Sequence, residues 1–269
     1  MGCRLKDLLQ PGFTRDLFRL DGRVALIIGG RGTLAEVMAT TLADLGCDVA
    51  LASRRESDCD QIATNVAARF GRRAIGLRCD VANEAEIEQT VARVTEQLGD
   101  IGILINNAGA SWWGLPQDIP LSGWKKVIDV NLTGTFLASR HVARRMIARG
   151  GGAIINIASV GAFLSYVPEA GQVVPYTTTK AAIVHLTQDL AAQWAAHGIR
   201  VNAIAPGSVE GGMTDTLTEE VQQRLLSRIL LRRFARPVEV AGAVALLASD
   251  AGSFITGETL LVDGGQSIG

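Results

Sequence analysis

The sequence predicts an α/β protein: a single doubly wound parallel sheet with helices on both faces. Three observations carry this. Seven short apolar runs alternate with longer stretches of helical periodicity. Six of those runs are too apolar throughout to leave one face wet, and strands buried on both faces belong to parallel sheets covered by helices. Small or polar residues gather at the last positions of the runs, where ligands bind in such sheets.

In chain order, the strand candidates are "RVALIIGG" (23–30), "CDVALAS" (47–53), "AIGLRCDV" (74–81), "IGILINNAG" (101–109), "GAIINIAS" (152–159), "IRVNAIAPG" (199–207) and "TLLVDGG" (259–265). Helical patterns fall between them at about 34–45, 56–69, 84–98, 120–148, 175–197 and 237–248. The third is the clearest. Asn83 is an N-cap candidate, Glu86 follows three residues on, and Gly99 ends the pattern. Right-handed crossovers turn this alternation into a Rossmann-type sheet. No repeat, linker or low-complexity tract interrupts it. Residues 19–269 are expected to form one domain, preceded by an N-terminal arm over 1–18.

Composition narrows the function. The 269 residues are 48% hydrophobic, enough for a full core, and the net charge is −1. No basic field is present to attract nucleic acid or a membrane surface. Cys3, Cys47, Cys59 and Cys79 show no metal-like spacing, so reduced thiols and no bound metal are expected. No apolar run approaches the ~20 residues of a membrane span. "MGCRLKDLLQ" lacks the apolar centre of a leader, and Lys6 stands where a myristoylation signal has Ser or Thr. A cytoplasmic protein acting on a small molecule is the expectation.

The stretch "LIIGGRGTLAEVMA" (26–39) has the layout of a dinucleotide turn. Gly29, Gly30 and Gly32 permit a tight reversal and a close approach of pyrophosphate. A helix starting near Thr33 or Leu34 directs free N–H groups at it. A plain strand–helix turn would look the same. The second strand ends with Ser53 and Arg54, where an NAD-preferring site shows an acid for the ribose. Arginine there suits a 2′-phosphate, and Arg31 adds to that clamp, so NADP(H) is favoured and NAD(H) is the alternative. Arg54 and Arg55 also fit a solvated helix start.

Residues 176–180 read "YTTTK", which puts Tyr176 and Lys180 on one helix face. A tyrosine titrates near about 10, and a neighbouring ammonium lowers that value. The couple can move a proton to or from a substrate oxygen.

At this point the chain resembles the short-chain dehydrogenase/reductase family, from about residue 20 to 269. The matching pieces fall in order: the turn at 29–35, "CDV" (79–81), "NNAG" (106–109), "DVNLTG" (129–134), "IINIAS" (154–159), "YTTTK", "IRVNAIAPG" (199–207) and "ITGETLLVDGG" (255–265). The resemblance implies an NAD(P)(H)-dependent oxidoreductase. Tyr176 would be its proton donor or acceptor. Lys180 would tune Tyr176 and hold the nicotinamide ribose. Ser159 would hold the substrate oxygen, and Asn131 would hold a water linking Lys180 to solvent. Asp80 and Val81 would border the adenine. Asn107, Ala108 and Gly109 would line the cofactor, and Pro206, Gly207 and Val209 would flank the nicotinamide. It also implies a homo-oligomer, tetramer or dimer, packed through 120–148 and 175–197. Ala181, Ala182, Ala191 and Ala192 suit close helix packing there.

The chain departs from the family pattern in four places. Ile28, Thr33 and Ala35 replace the usual threonine and two glycines, although Gly32 matches a shifted glycine found in relatives acting on sugars, sugar acids and polyols. Ser159 and Tyr176 are seventeen residues apart, about four more than usual, with Tyr166, Glu169 and Gln172 in the added loop. Ser165 is an alternative serine, but it lies beyond the strand. Gly211 stands where a threonine often contacts the carboxamide, with Thr214 the nearest substitute. Trp112 and Trp113 follow the fourth strand, placed to floor a substrate or to pack under a loop.

Three functions compete. The first is a dehydrogenase/reductase for a secondary alcohol and ketone on a sugar, polyol or sugar acid. The second is a 3-oxoacyl thioester reductase, for which "RILLRRFAR" (228–236) would greet an acidic carrier. The third is a catalytically idle nucleotide-binding or scaffold protein, which the intact Asn131, Ser159, Tyr176 and Lys180 oppose.

Overall fold

The computed structural model describes residues 10–166, 172–211, 214 and 217–269. Seven strands form one sheet: β1 (Val24–Ile28), β2 (Asp48–Ser53), β3 (Ala74–Arg78), β4 (Ile101–Asn106), β5 (Gly152–Ile157), β6 (Ile199–Pro206) and β7 (Thr259–Val262). Their order is β3-β2-β1-β4-β5-β6-β7, and every pairing is parallel. All seven expected strands are present. The short helix α1 (Phe13–Leu17) precedes them, in the region expected as an arm; residues 1–9 of that arm lie outside the described residues.

The all-apolar strands serve two cores. Side chains alternate along a strand, so Ala25 and Ile27 enter one core while Val24, Leu26 and Ile28 enter the other. On the first face lie α2 (Thr33–Asp44), α3 (Glu56–Phe70) and α9 (Ala241–Ala248), contributing Met38, Leu42, Val66 and Val244. On the second lie α4 (Glu84–Gln97), α6 (Gly134–Arg149) and α7 (Val174–Trp194), contributing Ile87, Val91, Val142 and Leu190. Each fully buried Leu or Ile contributes about 1.5–3 kcal/mol. The edge strands are less buried: Arg78 of β3 and Leu261 of β7 reach solvent.

Helix signals hold where capping chemistry supports them. Asn83 accepts the Ala85 N–H at 3.1 Å, which starts α4 as expected. Two expectations need correction. The pattern over 120–148 is not one helix. It is α5 (Leu121–Ile128), a π-turn over Asp129–Thr133, and α6. A helix absent from the sequence reading, α8 (Glu219–Arg228), follows β6; Thr218 caps it and Glu219 and Glu220 favour its N-terminal dipole.

The crossovers reverse direction at β1, which lies between β2 and β4. Helices following β1 and β4 therefore diverge and leave a crevice above the carboxyl ends of the strands. Among the described residues no helix is long and apolar enough to cross a membrane.

Candidate active site

The crevice holds a groove of two connected lobes, about 310 and about 500 Å³. Both are bordered by Arg31, Gly32, Asn107, Gly109 and Ala110, so the lobes form one continuous channel.

The turn after β1 explains its glycines individually. Gly29 has φ +82°, and a Cβ there would lie 2.3 Å from the Ala108 backbone nitrogen. Its carbonyl accepts the Asn107 side-chain amide at 2.8 Å, which ties the turn to the end of β4. Gly30 presses on Leu51, so its role is packing. Gly32 has φ +83° and nothing within 4 Å of where its Cβ would be. The space over the start of α2 is thus open, as a phosphate seat requires, and the first N–H groups of a helix have no intrahelical partner. Ala35, the unexplained departure, is completely buried within α2, so its methyl belongs to the packing and not to the groove.

The smaller lobe is lined by Gly29, Ser53, Arg54, Asp80, Val81 and Ala108. The Ser53 hydroxyl donates to the Arg55 carbonyl at 2.9 Å and accepts the Cys59 thiol at 3.1 Å. Asp80 accepts the Ala82 N–H at 3.1 Å, which fixes the turn after β3. Arg31 lies 3.9 Å from Asp58, an acid that Arg55 approaches more closely at 3.1 Å. Arg54 is exposed and has no ion-pair partner among the described residues.

The larger lobe brings together Thr33, Leu34, Ser159, Tyr176 and Lys180 with Pro206, Gly207 and Val209. Ser159 caps the turn after β5 by accepting the Gly161 N–H at 3.1 Å. Ser165 is exposed and lies outside the groove, whereas Ser159 lines it. Lys180 is buried, and its Nζ lies 5.5 Å from the centre of the Tyr176 ring and donates to the Ile157 carbonyl at 2.6 Å. Burial pushes its ammonium down to about 8. Burial raises the Tyr176 phenol, and the adjacent Ser159 hydroxyl opposes that rise.

Two site residues are placed otherwise than expected. Asn131 is fully buried on the π-turn and does not line the groove. Its Oδ1 accepts the Ala110 N–H at 2.7 Å, and its Nδ2 donates to the Ala110 carbonyl at 3.0 Å and to Thr179 Oγ1 at 2.9 Å. The side chain is a brace between the extension of β4 and α7. A π-turn shifts one residue out of helical register and serves to aim such a group. The two tryptophans part company. Trp113 lines the larger lobe, half-exposed. Trp112 lies against α5, where a Cβ on Gly123 would meet its ring at 2.5 Å, and Lys126 sits 5.9 Å above it.

The added loop contributes Tyr166 to the larger lobe. Gln172 instead uses its carbonyl to accept the Gly114 N–H at 3.0 Å, and Glu169 lies outside the described residues. Thr214 lines the lobe and donates to the Val209 carbonyl at 2.6 Å. Sequence reasoning missed Leu225 of α8 on the apolar wall, although Thr218 followed by two acids is a readable helix start. It also missed Thr179, the partner of Asn131, which has no local signal. Among the described residues no three His, Cys, Asp or Glu side chains converge as a metal site would need.

A family profile described as enoyl-(acyl carrier protein) reductase matches residues 30–267. A 3-oxoacyl-[acyl-carrier-protein] reductase of Aquifex aeolicus is 37% identical over 92% of this chain and 98% of its own. The chain belongs to the short-chain dehydrogenase/reductase family. Among its relatives in that family, D-threitol dehydrogenase of Mycolicibacterium smegmatis is 34% identical over 93% of this chain and 95% of its own. A crystal structure of gluconate 5-dehydrogenase from Burkholderia cenocepacia with NADP and tartrate superposes with a TM-score of 0.89. It is 36% identical and covers 95% of this chain and 99% of its own. This short-chain dehydrogenase/reductase is accordingly an oxidoreductase that acts on alcohol and carbonyl groups with a nicotinamide cofactor.

Proposed function

We propose that the chain interconverts a secondary alcohol and a ketone on a sugar, polyol or sugar acid, using NADP(H) in preference to NAD(H). The observation that carries this is the convergence of Ser159, Tyr176 and Lys180 on one wall of the larger lobe. Gly29, Gly32 and the start of α2 would hold the pyrophosphate, Asp80 and Val81 the adenine, and Arg54 with Arg31 a 2′-phosphate. Asn107, Ala108 and Gly109 on one side, and Pro206, Gly207 and Val209 on the other, would hold the nicotinamide half. The cofactor, when bound, supplies or accepts the hydride.

The protein's own groups handle the oxygen. Ser159 holds it beside the phenol. Tyr176 gives it a proton in reduction and takes one in oxidation. Lys180, buried next to the phenol, supports the phenolate that this leaves. Positioning and an apolar wall from Leu217 and Leu225 support the transfer.

The unpaired Arg54 supports NADP(H), and the gluconate dehydrogenase relative was solved with NADP. A 3-oxoacyl thioester is the second reading, favoured by the Aquifex relative. Of the arginines of 228–236, Arg233 and Arg236 share Glu239, while Arg228 and Arg232 have no acid partner among the described residues, so this segment keeps a basic surface that suits an acidic carrier.

We also propose a homo-oligomer with a cytoplasmic address. Phe136 and Ile147 on α6 and Ala181 and Ala192 on α7 face outward, and Cys47, Cys59 and Cys79 are free thiols. Light scattering would give twice or four times the chain mass; the mass of a single chain would overturn the oligomer.

The deciding experiment is a panel of ketoses, sugar acids, polyols and 3-oxoacyl thioesters, followed at the nicotinamide absorbance with both cofactors. Activity confined to thioesters overturns the first choice. Tyr176→Phe should lower kcat by about 10²- to 10⁴-fold. Failure to bind NADPH or NADH by fluorescence titration would favour an idle protein.

A further inference from the structure

The chain has two tyrosines, and both line the same lobe. Tyr176 has an assigned task. Tyr166 comes from the added loop and faces the wall that carries Ser159 and Tyr176. No hydrogen bond to its hydroxyl is present among the described residues, so its donor is available to a ligand in the lobe that it lines. Across from it, α8 contributes Leu225 to the apolar wall. Arg228 is three residues further along the helix, on the same face. It is half-buried, and its charge reaches Tyr166, opposing the rise that burial imposes on the phenol.

Arg228 is also the odd one among its neighbours. Arg224 pairs with Glu220, Arg232 donates to the Ser227 carbonyl, and Arg233 and Arg236 share Glu239. Arg228 has no ion pair or side-chain hydrogen bond among the described residues. A half-buried guanidinium without a partner bears a desolvation cost that an anion removes. One cation and one neutral hydroxyl match the single charge and paired oxygens of a carboxylate; a dianionic phosphate would call for a second cation.

We propose that Tyr166 and Arg228 form a carboxylate clamp at the substrate end of the cleft, so that the substrate is a hydroxy or oxo acid rather than a neutral polyol. This rests on the oxidoreductase reading above and selects within it. Tyr166 donates its hydroxyl to one carboxylate oxygen and Arg228 its guanidinium to the other. The clamp holds the acid end while the reacting oxygen meets Ser159 and Tyr176.

The test compares sugar acids with their own primary amides as substrates, in the wild type and in Arg228→Gln, Arg228→Lys and Tyr166→Phe. The specificity ratio, kcat/KM for acid over amide, should fall by roughly 10- to 100-fold in Arg228→Gln. It should fall less in Arg228→Lys and in Tyr166→Phe, with the loss in KM for the acid. Arg232→Gln, whose side chain serves the Ser227 carbonyl, should leave the ratio unchanged. Equal losses on acid and amide would mean a structural role and overturn the clamp. So would a wild type that turns over polyols and amides but prefers neither acid nor amide; that outcome leaves the oxidoreductase reading intact. A second readout needs no turnover: tartrate and, separately, inorganic phosphate are titrated against thermal unfolding with NADPH present. Tartrate should protect the wild type at concentrations roughly tenfold lower than Arg228→Gln. Equal protection of both proteins, or protection by phosphate alone, overturns the clamp. Inactivity on every alcohol and ketone would instead count against the oxidoreductase reading, and the tartrate titration would still decide the clamp.

Discussion

Lys180 donates a 2.6 Å hydrogen bond to the carbonyl of Ile157, which ties the buried ammonium of α7 to the last residue of β5. One carbonyl is a small return for removing an ammonium from water, and burial brings it down to about 8 from the ordinary 10.5. Below pH 8 both folded and unfolded chains carry this proton. Between about 8 and 10.5 only the unfolded chain does, so stability rises with pH across that window. Lys180→Met should remove this rise. Urea unfolding of both proteins from pH 7 to 10.5 should show a difference in slope, amounting to at most on the order of 3 kcal/mol.

Asn131→Ala strips the Ala110 N–H and carbonyl, and the Thr179 hydroxyl, of their shared partner. A loss of about 1–3 kcal/mol is expected in chemical denaturation. Because Ala110 borders both lobes, the variant should also bind NADPH more weakly. A stable variant with unchanged NADPH affinity would show that the brace does not position the groove.

Gly29 and Gly32 have nearly the same φ but different surroundings. Gly29→Ala drives a methyl into the Ala108 backbone and should cost about 3 kcal/mol or more. Gly32→Ala meets only the left-handed strain, about 1–2 kcal/mol. Its methyl intrudes on the open seat at the start of α2, so NADPH affinity should fall at least roughly tenfold. Paired denaturation and fluorescence titrations separate the two outcomes.

Arg54→Gln should lower the kcat/KM ratio of NADPH over NADH by about 10- to 100-fold. Arg31→Gln should change it less, because Asp58 already lies 3.9 Å from that guanidinium. Steady-state assays with each cofactor, at low and high salt, measure both.

The strands were legible because burial on two faces leaves a run such as Val24–Ile28 with no polar alternation. Helix α4 was legible because Asn83 and Glu86 advertise its start. The π-turn was not, because "KKVIDVNLTGTF" keeps its apolar residues near helical spacing whether or not one residue is squeezed outward. Helix α8 was overlooked because only Leu225 of its ten residues is buried, which leaves little apolar stripe to detect. At the site, Ser159, Tyr176 and Lys180 could be named from the chain, since each sits at a strand end or on one helix face. Trp112 and Trp113 could not be told apart. Adjacent residues outside regular structure point independently, and only the contact with Gly123 decides which indole leaves the cleft. The asymmetry of Arg228 was invisible for a similar reason: five arginines within 224–236 look alike until their acids are located.

With both of its phenols in one cleft, the molecule has no surface tyrosine to blur a spectroscopic signal. An alkaline titration watched in the long-wavelength tyrosinate band, where thiolates do not absorb, reports the ionisation of Tyr166 and Tyr176 alone, since the four indoles do not ionise. Phenylalanine at either position isolates the other. The electrostatics of the reaction centre are therefore readable from the untagged protein, before any substrate is known.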